Sequence, residues 1–202
     1  MNLRGALIWV ALALAIAVPI LAAAQSPLLQ WRDPIYIIAG FSGIIGLALM
    51  LVQPLLISGV LRGVRTRRVH VWLGVGLLSA VIVHVVGLWI TSPPDVVDAL
   101  LFRSPTPFSV WGVMAMWAVF VAALLAAFRK RVGLRIWRVG HSTAVAVVIT
   151  GTVVHAWLIQ GAMETVTKGA LCFMVFGAGV WVLRQRQAWR VLFNKKNAKQ
   201  LL

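Results

Sequence analysis

Residues 69–90 read VHVWLGVGLLSAVIVHVVGLWI. The stretch holds no Asp, Glu, Lys or Arg, and it is long enough to cross a bilayer core, which takes about 20 apolar residues in a helix rising about 1.5 Å per residue. Its only ionisable side chains are two imidazoles, His70 and His84, fourteen residues apart. Fourteen residues make nearly four helical turns, so the two rings share one face and stand about 21 Å apart along the axis.

Working outward, five more apolar stretches of span length appear between polar or proline-rich breaks: Ala6 to Leu21, Ile35 to Leu61, Phe108 to Phe128, Val139 to Ile159, and Val166 to Leu183. With Val69 to Ile90 they predict an all-α integral membrane protein, a bundle of six transmembrane helices. The composition agrees: the chain is 61% hydrophobic, 11% charged and has a mean hydropathy of +0.95, whereas soluble domains carry about 25% charged residues.

Arg4, the first apolar run and Ala22-Ala23-Ala24 before Gln25 also carry the marks of a cleavable secretory signal. The length of the run and the spans that follow favour a retained helix. The segment from Thr91 to Pro107, with Pro93, Pro94, Pro105 and Pro107, is expected to be a partly rigid outer loop and not a helix.

A net charge of +15 raises the question of nucleic acid, but a nucleic-acid reader presents its cations on a folded polar face. Here they lie in short runs between spans. Sixteen of the 19 Lys and Arg residues fall on one side of the six-span arrangement, leaving Arg32, Arg103 and Lys168 on the other with all four acids, Asp33, Asp95, Asp98 and Glu164. The rich side is cytoplasmic by the positive-inside rule, which puts both termini on the cytoplasmic side of the membrane. The lone cysteine, Cys172, sits in an apolar run and reads as packing.

The chain has four histidines, and the second pair repeats the first: His141 and His155 are also fourteen residues apart, on the fifth span. The third and fifth spans run the same way. His70 therefore lies at the depth of His141, and His84 at that of His155. Neutral imidazole is a natural axial ligand of low-spin haem iron, and two facing imidazoles at two depths predict two stacked b haems between the third and fifth helices. A lone membrane histidine usually satisfies itself by hydrogen bonding; four in a repeated register favour function.

Gly74, Gly87 and Gly151 lie on the histidine faces and are expected to leave room for a flat macrocycle, with close helix packing as the alternative. Arg67 and Arg68 precede His70 and Arg138 precedes His141, where they are placed to pair with the propionates of the inner haem. Gly74-x-Gly76-x-x-Ser79 echoes a dinucleotide loop but falls in mid-helix with no strand before it. Most of the tryptophans, among them Trp9, Trp31, Trp72, Trp89, Trp137 and Trp181, fit an interfacial belt.

Paired histidines at this spacing on the third and fifth of six spans, each preceded by a basic cluster in RTRRVH (65–70) and WRVGH (137–141), resemble the ferric reductase-like transmembrane domain family. That family includes ferric reductases, NADPH oxidases and the haem subunit of bacterial methionine-sulfoxide reductase systems. The resemblance implies that His70 and His141 ligate an inner haem iron and His84 and His155 an outer one. It further implies an oxidoreductase subunit that passes electrons outward through haem b.

On this reading residues 1–190 form the transmembrane haem domain and residues 191–202 a cytoplasmic charged tail. Ferric reductases and NADPH oxidases append a flavin- and NADPH-binding module after the sixth span, and only a short polar stretch follows Leu183 here. The expected donor is accordingly a separate flavin reductase or membrane quinol, and the expected acceptor a periplasmic oxidoreductase or a ferric chelate. The rival class is a transporter or channel using membrane histidines for protons or a metal ion, against which stands the confinement of all four acids to loops.

Overall fold

The structure, a computed structural model, describes residues 3–61 and 66–187. Arg62, Arg65 and the expected charged tail at 191–202 lie outside the described residues. Among those described there are eight α-helices, one 3-10 turn (Pro27–Leu29) and no strand: α1 (Leu3–Ala24), α2 (Pro34–Ser58), α3 (Thr66–Thr91), α4 (Pro93–Leu100), α5 (Pro107–Ala127), α6 (Arg129–Val132), α7 (Leu134–Leu158) and α8 (Thr165–Arg186). Six of them, α1, α2, α3, α5, α7 and α8, are long and apolar enough to cross a membrane. The six expected spans are all present, and the chain is a six-helix membrane bundle.

Local chemistry sets the ends. Asp33 caps α2 by accepting from the Ile35 and Tyr36 N–H groups, and Pro34 opens the helix where its missing N–H costs nothing. Gly59, at φ 83°, closes α2 before the expected Leu61 by taking the left-handed conformation. Glu164 caps α8 by accepting from the Val166 and Thr167 N–H groups, and those two bonds hold its carboxyl below its ordinary value.

One expectation is corrected. The segment Thr91 to Pro107 is not helix-free, because α4 occupies Pro93–Leu100. Of the four prolines that argued against a helix, Pro93 and Pro94 fall in its first turn, where no N–H is needed, with Ser92 before them at the cap position, and Pro105 and Pro107 lie beyond its end.

Packing divides the bundle into two antiparallel hairpins. α2 lies along α3 and α5 lies along α7, each pair in extensive contact, while α8 bridges the hairpins by touching both α2 and α7. α1 sits outside, against α8 and α2. The core runs through Leu47, Leu51 and Leu56 of α2, Val148 and Ile149 of α7, and Leu171 and Val175 of α8.

The histidine helices α3 and α7 barely approach one another. On α3 only Gly87 is fully buried, and Val71, Trp72, Val75, Ile82, Val86 and Ile90 are exposed. Outward apolar side chains on a span are the surface a bilayer covers.

Candidate functional site

The four histidines project between the two hairpins at two levels. In the level expected to be the outer one the rings of His84 and His155 have their centroids 6.4 Å apart with planes at 83°. In the inner level His70 and His141 are near enough to interact electrostatically.

Three of the four rings are hydrogen-bonded from behind to a backbone carbonyl of their own hairpin partner. His84 Nδ1 bonds to Ala39 O at 2.7 Å, His155 Nδ1 to Phe108 O at 2.9 Å, and His141 Nδ1 to Ala122 O at 3.2 Å. A carbonyl only accepts, so these three rings carry their proton on Nδ1 and keep the Nε2 lone pair free. His70 Nδ1 is buried without a hydrogen bond, and the carbonyl it interacts with is that of Gln53.

The carbonyl residues repeat the histidine spacing. Ala39 and Gln53 on α2 are fourteen residues apart, and so are Phe108 and Ala122 on α5. The two hairpins thus present the same four-point pattern, with acceptors on the even-numbered span and imidazoles on the odd. Sequence reading found the imidazoles and missed the acceptors, because a backbone carbonyl has no letter and its register against the next helix is a matter of packing.

The three expected glycines touch the partner helix of their own hairpin. A Cβ on Gly87 would meet the Ala39 side chain at 2.8 Å, one on Gly151 would meet Trp111 O at 2.9 Å, and one on Gly74 would meet the Gln53 side chain at 3.4 Å. These contacts are the helix packing that the sequence also allowed. Two glycines not singled out, Gly43 and Gly112, lie closest to the imidazoles, directly against His84 and His155.

Arg67 and Arg68 occupy the first turn of α3 and are exposed, and Arg138 is half-buried near the start of α7. Arg67 and Arg138 each stand three residues before the inner histidine of their helix, on its face. Beside them Trp137 stacks on His141, with centroids 5.8 Å apart and planes at 18°, and the Arg129 guanidinium lies 4.2 Å over the indole. Trp137 was read as belt; it is also part of the inner level. Its Nε1, the His70 Nδ1 and the Gln53 Oε1 are the buried side-chain polar atoms left without a partner among the described residues.

At the outer end Lys168 is buried and donates from Nζ to Ile159 O at 2.9 Å and Trp157 O at 3.5 Å. It closes the C-terminus of the helix that carries His155. No group of three or more His, Cys, Asp or Glu side chains that could hold a metal ion occurs among the described residues.

Comparison with known proteins gives a single informative result. No curated protein matches the chain, and no solved structure does. The model of one family, described as "Ferric reductase like transmembrane component", matches residues 42–152, from within α2 to within α7 and across three of the four histidines. The chain belongs to the ferric reductase-like transmembrane family.

Proposed function

We propose that this chain conducts electrons across the bacterial inner membrane through two b haems, one held by His70 and His141 and one by His84 and His155. Ferric reductase-like domains bind haem in general and suggest transmembrane electron transfer. The observation that carries the reading for these residues is the outer pair: the His84 and His155 rings stand with centroids 6.4 Å apart, a separation at which both imidazoles would reach one iron held between them.

The orientation of the rings supports it. Both outer Nδ1 atoms are engaged with carbonyls, which fixes the tautomer that leaves Nε2 as the ligand atom. Bis-imidazole haem iron supplies a one-electron carrier that keeps both ligands in either oxidation state. The protein's own part is to hold the rings at two depths, to keep water from them with apolar helix faces, and to offer Arg67, Arg68 and Arg138 to the carboxylates of the inner macrocycle. The orphaned Trp137 N–H is a further donor on that side.

The split of basic residues supports cytoplasmic termini, and with that orientation His70 and His141 would form the entry level and His84 and His155 the exit level. Electrons come from a separate flavoprotein or from membrane quinol and leave to a periplasmic partner oxidoreductase or a ferric chelate. The test is haem content and spectrum of the purified chain. Two low-spin b haems per polypeptide are expected, and reduced-minus-oxidised spectra with and without quinol distinguish the donors. A colourless protein after expression with ample haem would overturn the reading and favour a channel or transporter.

A further inference from the structure

The two levels are held with unequal grip. A helical carbonyl at position i already accepts from the N–H at i+4, so a side chain from a neighbouring helix reaches it only by passing the residue at i+4. Behind the outer histidines that residue is glycine in both hairpins: Gly43 follows Ala39, and Gly112 follows Phe108, by four.

Gly112 has no room for a Cβ, and Gly43 has room for one only if the ring gives by a few tenths of an ångström. A Cβ on Gly43 would lie 3.0 Å from His84 Nδ1, and one on Gly112 would lie 2.7 Å from His155 Nδ1 and 2.9 Å from its Cε1. At the inner level the corresponding positions are Ile57 and Ala126. There the bond from His141 to Ala122 O is longer, at 3.2 Å, and His70 Nδ1 interacts with the Gln53 carbonyl without reaching hydrogen-bond geometry. The difference occurs twice, once in each hairpin, and follows the glycine each time.

We infer that Gly43 and Gly112 are positioning residues for the outer histidine pair: by lacking a Cβ they let each outer imidazole close on a helix carbonyl to 2.7 and 2.9 Å, whereas Ala126 leaves His141 at 3.2 Å from its own. This contact sets the proton on Nδ1 and strengthens Nε2 as a donor. A carbonyl bond behind an imidazole raises its basicity toward a metal, and a more basic ligand favours the ferric state, so losing the bond raises the reduction potential of that site. The redox half of the inference rests on the proposed haem reading; the tautomer half does not.

The experiment takes the full chain in lipid nanodiscs as Gly43→Ala, Gly112→Ala and the control Gly177→Ala, whose added carbon would meet nothing within 4 Å. Nitrogen-15 spectra of the histidines in chain made without haem, and redox titrations of chain loaded with it, are recorded for each. Alanine is a better helix former than glycine, so loss of helix propensity is not a confounder. Should Gly112→Ala fail to fold, Gly43→Ala keeps the test open, with its milder approach to the ring.

Wild type should show His84 and His155 as hydrogen-bonded Nδ1–H tautomers. Gly112→Ala should displace the His155 signal alone and Gly43→Ala the His84 signal alone. In loaded chain each should raise one of the two midpoint potentials and leave the other in place, while Gly177→Ala changes neither. Unmoved ring signals in a chain with two haems would overturn the glycine inference alone, as would equal movement of both potentials. A chain that binds no haem but shows the tautomer pattern would sink the electron-conduit reading and leave the glycine role standing.

Discussion

A histidine has two ring nitrogens, and what the fold does with one decides what the other can do. Three of the four rings here engage a carbonyl through Nδ1, and the sequence could not show it, since the acceptors Ala39, Ala122 and Phe108 serve through backbone atoms. The four imidazoles themselves were legible, because an ionisable group is rare inside a span and these recur at one interval. Trp137 was legible only as an interfacial aromatic; its stacking on His141 depends on the i, i+4 geometry of α7 combined with the position of Arg129 on α6. Replacing it by leucine removes a ring contact worth about 0.5–1.5 kcal/mol and the shelf under Arg129. Trp137→Leu is therefore expected to shift or broaden one of two low-spin resonance signals and to spare the other. Electron paramagnetic resonance of the oxidised protein measures this, and movement of both signals would count against a local role.

At the scale of elements, the six spans were readable from hydropathy, but α4 was not, because Pro93 and Pro94 signal a break unless they are recognised as the first turn of a new helix. The turn between α7 and α8 was equally hidden. Lys168 was counted as an outer loop cation, yet it is buried and caps the α7 carbonyls of Trp157 and Ile159. Lys168→Met leaves those acceptors unpaired and should lower stability by about 1–3 kcal/mol, read as a fall in the thermal midpoint in detergent; an unchanged midpoint would reject the cap. Glu164 at the start of α8 behaves in the opposite electrostatic sense. Its carboxyl is held below its ordinary value of 4.5 by the Val166 and Thr167 N–H groups, so its contribution is present at neutral pH and is lost as pH falls from about that value through the lowered folded one. Stability of Glu164→Gln should thus be less sensitive to acid in that range than wild type. Gly151 is the packing counterpart: a leucine there would drive into Trp111 O and Ala115, separating α5 from α7 at a cost of about 1–3 kcal/mol, measured by the same melt.

For the whole molecule, membership of the family and the six-helix architecture were readable in the sequence, whereas the arrangement of helices was not. Buried and lipid-facing positions are both apolar, so no hydropathy gradient tells that α8 joins the two hairpins or that α1 stands outside them. The proposed orientation predicts that reporter fusions at Leu202 report a cytoplasmic end and fusions between Asp95 and Arg103 an outer one; a periplasm-dependent reporter active at Leu202 would reject it. The two-level pairing is the claim on which the functional account stands, and haem stoichiometry in double histidine variants tests it most directly. Residues acting as one unit are non-additive, so His84→Ala combined with His155→Ala should look little worse than either change alone and should keep one low-spin haem. His84→Ala combined with His141→Ala should damage both sites and abolish electron transfer across reconstituted membranes. If the same-level and cross-level doubles retained equal haem, or if all four single variants kept two normal low-spin haems, the pairing would be contradicted.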